Sequence, residues 1–305
     1  MQNTLKSLIH FHGVGLHGGQ PVAMIVRPAP ANHGIHFVRT DITDKDNYIA
    51  ALWSNVSDTK LCTVIQNDSG VSVGTIEHLM AALQGCHIDN ALIEINGPEV
   101  PIMDGSSLAF VKEIERVGLK EQDSPRHMIK ILKEIEVTDG DKSVRLSPAD
   151  EPIFSGEIDF DHPMIGRQNY STEIINGNFP HELAECRTFG FVKEVEYLRS
   201  IGLARGGSLD NAIVLGDDDV LNPQGLRRSD EFIRHKLLDA VGDLALAGAP
   251  IQGHYHGVKS GHDMNNRILH ALFADKSAWT WTTDNIIPMA TALREQELAR
   301  ETVRA

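Results

Sequence analysis

The 305-residue chain is poor in cysteine. It has three, Cys62, Cys86 and Cys186, an odd number with no Cys-x-x-Cys spacing. A disulfide framework and a thiolate zinc site are excluded as organising features, and a reducing compartment is expected. Basic residues are also short: 28 Lys and Arg stand against 42 Asp and Glu, a formal net charge of −14. General nucleic-acid binding is excluded, because a phosphate backbone calls for a basic face. A small anion held by a few local cations is not. No stretch approaches the roughly 18 apolar residues of a membrane span. Residues 1–13 hold one lysine and no apolar run long enough for a secretion signal. A soluble, cytoplasmic protein without a membrane segment or a nucleic-acid partner is expected.

What is present is 41% hydrophobic and 23% charged, the balance of a globular protein. The most informative stretch is residues 230–247, which reads as a helix. His235 and Asp239 are four apart and so share one face. An imidazole and a carboxylate one turn apart can grip a divalent metal. Asp243 extends that face by a turn, while Ile233, Leu237, Leu238, Val241, Leu244 and Ala245 form the core side. The spacing alone is common, and a plain polar stripe is the competing reading. A second helix is expected at 75–85, with Thr75 as N-cap and Gly85 as stop. Ile76, Leu79, Met80 and Leu83 make its core stripe. Glu77 and His78 lie off it, as a solvated pair or as part of a site.

Strands are expected at 21–28, 35–38, 50–57, 61–66 and 90–96, and a helix capped by Asp104-Gly105-Ser106 runs to 117. The polar segment 118–126 divides domain 1–122 from domain 127–280, with 281–305 as a tail. The second half offers strands at 129–137, 143–147, 153–160, 171–175, 212–215 and 251–258, and helices at 192–200 and 262–273. Residues 182–186 read as irregular. Trp279 and Trp281 suit a strand or a docking surface. The glycine-rich stretch 13–19 lacks the strand-to-helix context of a dinucleotide fingerprint. Both halves order several strands, a helix with an off-core histidine, a strand and a second helix. That implies an α+β fold of two similar domains, each a sheet backed by two helices, packed as a sandwich with the site between them. His78 could then meet His235 and Asp239. Two histidines and one carboxylate leave a coordination position open, the catalytic zinc pattern, and the same set suits Fe2+. Glu77 would be placed to take a proton. His262 is a second acid candidate with Asp243 to orient it, or simply a loop histidine capping its own helix.

Eight stretches carry a closer likeness: Gly13-Val14-Gly15-Leu16-His17-Gly18-Gly19, Arg27-Pro28-Ala29-Pro30-Ala31-Asn32, Thr75-Ile76-Glu77-His78-Leu79, Pro101-Ile102-Met103-Asp104-Gly105-Ser106, Arg187-Thr188-Phe189-Gly190-Phe191, Gly206-Gly207-Ser208, residues 235–244, and Lys259-Ser260-Gly261-His262. In this order they resemble the UDP-3-O-acyl-N-acetylglucosamine deacetylases, zinc amidases of lipid A biosynthesis. The resemblance implies that His78, His235 and Asp239 hold the zinc and that Glu77 is the general base. It implies His262 with Asp243 as the cation that protonates the leaving amine or stabilises charge, Thr188 as an oxyanion donor, and Lys236 as a nearby positive charge. It further implies a β-α-β insert at about 189–215 forming a passage for the 3-O-acyl chain. Phe189, Phe191, Val195, Leu203, Ala204, Ser208, Ala212 and Val214 are placed along it, with Arg205 pointing outward. Phe160, Lys259 and Gly261 are placed at the nucleotide end. The expected partner is a UDP-linked, 3-O-acylated glucosamine, and a monomer is expected. A metal-containing acyl-sugar-nucleotide binding protein without turnover is the alternative from another class, and an Fe2+ oxygenase a third.

Overall fold

Alternation builds the strands. In Pro21–Pro28, Val22, Met24 and Val26 are buried and the residues between them are not, so one face of the strand turns to the core. The computed structural model describes residues 1–175 and 177–283. It contains two five-stranded sheets of the same design. The first runs Ile9–Val14, Pro21–Pro28, Ala91–Ile95, Ile35–Arg39, Tyr48–Ala50 across the sheet. The second runs Ile135–Asp139, Lys142–Ser147, His254–Val258, Ile153–Phe160, Gly166–Glu173. In both, two hairpins flank a later central strand, antiparallel to one hairpin and parallel to the other.

Each parallel crossover passes through a helix. In the first unit this is α1 (Glu77–Gly85), followed after the central strand by α2 (Leu108–Val117). Before the corresponding crossover the second unit inserts a one-turn α3 (Phe179–Glu182) and a β-α-β unit around α4 (Val192–Ser200). It then places α5 (Glu231–Ala245) before its central strand and α6 (His262–Ala274) after it. The expected α+β architecture is therefore present. One buried cluster runs through both units and includes Leu79, Met80, Leu83, Leu237, Val241 and Leu244, where α1 meets α5. A smaller cluster of Ile158, Ile165, Ile213, Leu215, Phe232 and Ile233 anchors the insert to the second sheet. No helix among the described residues is long and apolar enough to cross a membrane.

Several local expectations are corrected. The strand read at 129–137 is two: His127–Ile131 joins a separate sheet with Ile251–Gln252 and Trp279–Thr283, and Ile135–Asp139 joins the large sheet. The strand read at 251–258 divides at Gly253, where a Cβ would meet Ile131 Cγ1 at 2.6 Å. Residues 50–57 break at a 3₁₀ turn, Trp53–Asn55, which stacks Trp53 on Phe273 with ring centroids 5.0 Å apart. The strand read at 171–175 is Gly166–Glu173, zipped along the whole of Ile153–Phe160. Thr75 is not the cap of α1; its φ is +55° and its hydroxyl donates to Glu99 Oε1 at 2.9 Å. Of the stretch expected to cap α2, Ser106 does so, its Oγ accepting from Leu108 N at 3.2 Å, while Asp104 closes its own turn through Ser106 N and Oγ. Trp279–Thr283 is a strand, so residues 281–283 of the expected tail lie in a sheet, and 284–305 lie outside the described residues.

Candidate metal centre

The centre is set by how closely α1 and α5 cross. At the crossing α5 carries Gly242, where a Cβ would lie 2.0 Å from the Glu77 carbonyl oxygen and 3.1 Å from Ala81 N. No side chain fits there, and the two backbones touch. That brings His78 of α1 beside the His235–Asp239 face of α5. Gly242→Ala forces the helices apart. Its better helix propensity, about 1 kcal/mol, offsets part of an overpacking cost of about 1–3 kcal/mol. The larger effect expected is on turnover, about 100-fold down for a shift near 1 Å. Calorimetry and steady-state assays on the same preparation measure both.

His235 Nε2 lies 3.3 Å and His78 Nε2 3.5 Å from one oxygen, Asp239 Oδ1. The two rings are nearly perpendicular, with centroids 5.1 Å apart. All three residues are buried, and their ligand atoms lie within 4.8 Å of one another. Asp239 Oδ1 is a buried acceptor without a hydrogen-bond donor among the described residues. An orphaned carboxylate oxygen facing two imidazole nitrogens is what a divalent cation would satisfy, so the residues fit a metal. His235 Nδ1 donates to the Cys186 carbonyl at 3.0 Å, which leaves the Nε2 lone pair toward the cluster. Burial above all, then His78 and Lys236, pushes His235 down to about 4 against the pull of Asp239, keeping it neutral. Burial disfavours the Asp239 anion, but His235, Lys236 and His78 outweigh it and hold the carboxyl well below the usual range.

The groups around the cluster come from three helices and from the segment that precedes the strand Phe189–Phe191. Glu77 turns Oε1 toward His262 Nε2 at 4.0 Å. Burial raises its carboxyl above the usual range, with His262 and His78 pulling back. His262 Nδ1 donates to Asp243 Oδ2 at 2.8 Å. Burial opposes its cation, yet Asp243, Glu77 and Asp239 push it up to about 10. His262 is thus an imidazolium at neutral pH held between two carboxylates, and the loop-cap reading gives way. Lys236 Nζ sits 3.5 Å from Asp239 Oδ2 and 5.5 Å from the Phe189 ring centroid. Thr188 is pinned at the backbone: its N donates to the Gly105 carbonyl at 2.8 Å. Gly105 takes φ +82° and leaves no room for a Cβ, which would fall 2.0 Å from Asn211 O. Beside Thr188, Arg187 is wholly buried and paired with Glu231, Nε to Oε1 2.9 Å. That pair holds the segment carrying both Thr188 and the Cys186 carbonyl. The three thiols are each buried and pushed up to about 12, so none is a thiolate ligand or nucleophile.

A cleft of about 350 Å³ borders the centre, lined by Lys60, Lys142, Lys236, His262 and Gly261, with Asp139 and Asp263 also on its wall. The insert pairs Phe189–Phe191 with Ile213–Leu215 in parallel. The register divides the residues expected along an acyl passage between two faces. Phe189 and Phe191 share the face of Ile213 and Leu215 and meet the Phe160 ring at 5.7 and 6.1 Å. Gly190 lies opposite Val214 on the other face, and a Cβ there would touch Val195 of α4 at 3.7 Å. Ala212 and Val214 are half-buried, and Ala204 is buried with φ +51°. Ser208 and Arg205 are exposed. The loop of Leu203 to Ser208 docks on the glycine-rich stretch of the first unit, through Arg205 N to His17 O and Gly206 N to Leu16 O. In that stretch the amides of His17 and Gly18 donate to the Glu99 carboxylate at 2.7 and 2.9 Å. They are already occupied, in keeping with the rejected dinucleotide reading. Lys259 is drawn toward Asp141 and Asp159 at 2.9 and 3.5 Å. Sequence reasoning missed the Cys186 carbonyl, for which no letter stands. It also missed Asn265, whose Nδ2 donates to Asp243 Oδ2 at 2.8 Å; its place one turn after His262 was the available signal.

A set of three ligands, which leaves a bound metal a free coordination position, with a carboxylate and an imidazolium beside it, is the equipment of a metal-dependent hydrolase. The family follows from comparison with known proteins. The family model described as LpxC, UDP-3-O-acyl N-acetylglycosamine deacetylase, matches residues 2–274, and the chain belongs to that family. It is 51% identical over 278 residues to the UDP-3-O-acyl-N-acetylglucosamine deacetylase of Phenylobacterium zucineum (strain HLK1), covering 91% of this chain and 95% of that one. The like-named protein of Myxococcus xanthus (strain DK1622) is 48% identical, over 91% and 88% of the two chains. That of Haemophilus ducreyi (strain 35000HP / ATCC 700724) is 47% identical, over 92% and 93%.

Proposed function

We infer that the chain hydrolyses the N-acetyl amide of UDP-3-O-acyl-N-acetylglucosamine, releasing acetate, in lipid A biosynthesis. The observation that carries this reading is Glu77. A buried carboxylate beside a ligand histidine and facing an imidazolium serves proton transfer, and a binding protein without turnover has no use for it. His78, His235 and Asp239 would hold the metal, taken to be zinc. When bound, the metal supplies Lewis acidity toward the acetamide carbonyl and brings a water's pKa down to about 7.

The side chains divide the remaining work. Glu77 Oε1 takes the proton of the attacking water. Thr188 donates its hydroxyl to the oxygen that becomes negative as the carbonyl carbon turns tetrahedral. His262, charged at the start, faces that negative charge and then gives its Nε2 proton to the departing amine. Lys236, with Lys60 and Lys142 along the cleft, provides the local positive field for a diphosphate on an otherwise acidic protein. Phe160, Lys259 and Gly261 are read as the nucleotide end. Val195, Ala212 and Val214, with Phe189 and Phe191 nearby, form an apolar path for the acyl chain, where each buried methylene contributes about 0.8 kcal/mol. Three buried free thiols suit a cytoplasmic, reducing location.

The direct test is acetate release from the UDP-linked, 3-O-acylated substrate by metal-loaded protein; tight binding of that substrate with no acetate would favour the binding-protein alternative. A pH profile tests the acid. His262 is raised in the folded protein, so its charged form persists above the ordinary value of 6.5 and is lost as the pH climbs through about 10. A divalent cation nearby pulls that value down. The alkaline limb of kcat is therefore expected between about 6.5 and 10. His262→Ala should retain its metal, lose about 100-fold or more in rate and lose that limb. An alkaline limb unchanged in the variant would remove His262 from the role of acid.

A further inference from the structure

Glu77 and His262 reach the centre from different halves of the chain, and one residue bonds to the machinery on both sides. Thr63, 2% exposed, lies in the first unit just before the strand Val64–Gln66. Its backbone N–H donates to Glu77 Oε2 at 3.1 Å, and its hydroxyl donates to Asp243 Oδ1 at 2.5 Å. We infer that Thr63 is a positioning residue that sets the base and the acid in register, a role that rests on the proposed use of Glu77 and His262.

The oxygens account for this. Asp243 Oδ2 accepts from His262 Nδ1 and Asn265 Nδ2, both at 2.8 Å. Asn265 is itself held by the Tyr255 hydroxyl at 2.6 Å. Oδ1 then depends on Thr63. With all three donors in place the carboxylate cannot turn about its Cβ–Cγ bond, and the His262 ring is aimed. Without the hydroxyl, Oδ1 is a buried acceptor lacking its donor, and the carboxylate is free to rotate and carry the imidazole with it. On the other side the Thr63 amide occupies Glu77 Oε2, so Oε1 is the oxygen left to face the reacting water. Because Asp243 sits on α5 and Glu77 on α1, the same residue also ties the two units together at the site.

The side-chain half of this bridge can be removed alone. Thr63→Val keeps the backbone amide and nearly the same volume. Expected is a fall in kcat of about 10–100-fold, the usual cost of losing a supporting hydrogen bond around such a centre, with KM and bound metal at wild-type values. Thr63→Ser, which keeps the hydroxyl, restores most of the loss. In an Asp243→Ala background Thr63→Val should cost nothing further, since the group it acts through is gone. Wild-type kcat in Thr63→Val overturns the inference. So does an equal loss in both backgrounds, or a serine variant as slow as the valine one, since either marks Thr63 as mere packing. Should a melting curve show Thr63→Val unfolded, Thr63→Ala is carried through the same cycle. Full turnover by Asp243→Ala would overturn the His262–Asp243 pair itself, and this inference with it. Impaired turnover there alongside an unaffected Thr63→Val would remove Thr63 alone.

Discussion

Asp239→Ala is expected to emerge from purification without its metal, and without activity. The ground is the geometry around Oδ1. That oxygen lies between the two Nε2 atoms at 3.3 and 3.5 Å and has no other donor among the described residues. It is also the only negative ligand in the cluster. What remains after its removal is a pair of buried imidazoles, one of them neutral because burial pushes it down to about 4. Two imidazole donors without an anionic partner do not offset the cost of bringing a dication out of water. Loss of a supporting residue alone costs about 10–100-fold in metal affinity, so loss of an anionic ligand should exceed about 100-fold. Metal analysis gives the first readout. A second does not involve activity: ligand binding raises stability by RT ln(1 + [L]/Kd), about 4.1 kcal/mol at a thousandfold excess over Kd. Titrating zinc into stripped wild type should raise its melting temperature, and the alanine variant should hardly respond. Stoichiometric zinc in the purified variant would overturn the ligand assignment.

How much of this was legible in letters differs from residue to residue. His235 and Asp239 were readable as a pair because helix periodicity places i and i+4 on one face whatever the surroundings. That His78 completes the cluster is a tertiary fact. It depends on α1 crossing α5 at backbone contact, and the one letter that records the crossing is Gly242, which in a linear reading looks only like a weak helix former. The repeat of two halves was visible as an order of elements. The identical strand pairing of the two sheets was not, because pairing joins residues far apart, as when Pro21–Pro28 meets Ala91–Ile95 and Lys142–Ser147 meets His254–Val258. Thr75 and Asp104 looked like helix caps, since their types suit that role. Thr75 instead satisfies Glu99 and Asp104 its own turn, and these contacts won over local preference. Thr63 left no trace at all. It stands in a short connecting segment, and its two partners lie 14 and 180 residues away along the chain.

Glu77→Gln is expected to lower kcat by about 100- to 10,000-fold, the range for removal of a positioned general base, while leaving the metal in place. Glutamine preserves the shape of the side chain and can still accept the Thr63 amide through its carbonyl oxygen. What it cannot do is take a proton at the atom that now faces His262. The substitution also replaces a fully buried carboxyl, raised above its ordinary range by that burial, with a neutral amide. A carboxyl raised in the folded state stabilises the fold when protonated and loses that contribution as the pH climbs through its folded value. At neutral pH the glutamine variant of the stripped protein should therefore melt no lower than wild type. Slow turnover, full metal and an undiminished melting temperature together separate lost chemistry from lost structure. Glu77→Asp divides the remaining possibilities: it keeps the charge but draws the carboxylate back by one methylene, away from a position fixed on one side by Thr63 and on the other by the close packing of α1 on Gly242. If placement matters as much as basicity, aspartate should recover only a small part of the rate. A glutamine variant that turned over at the wild-type rate would leave the centre without a base on α1, and the proton would have to be taken by another group.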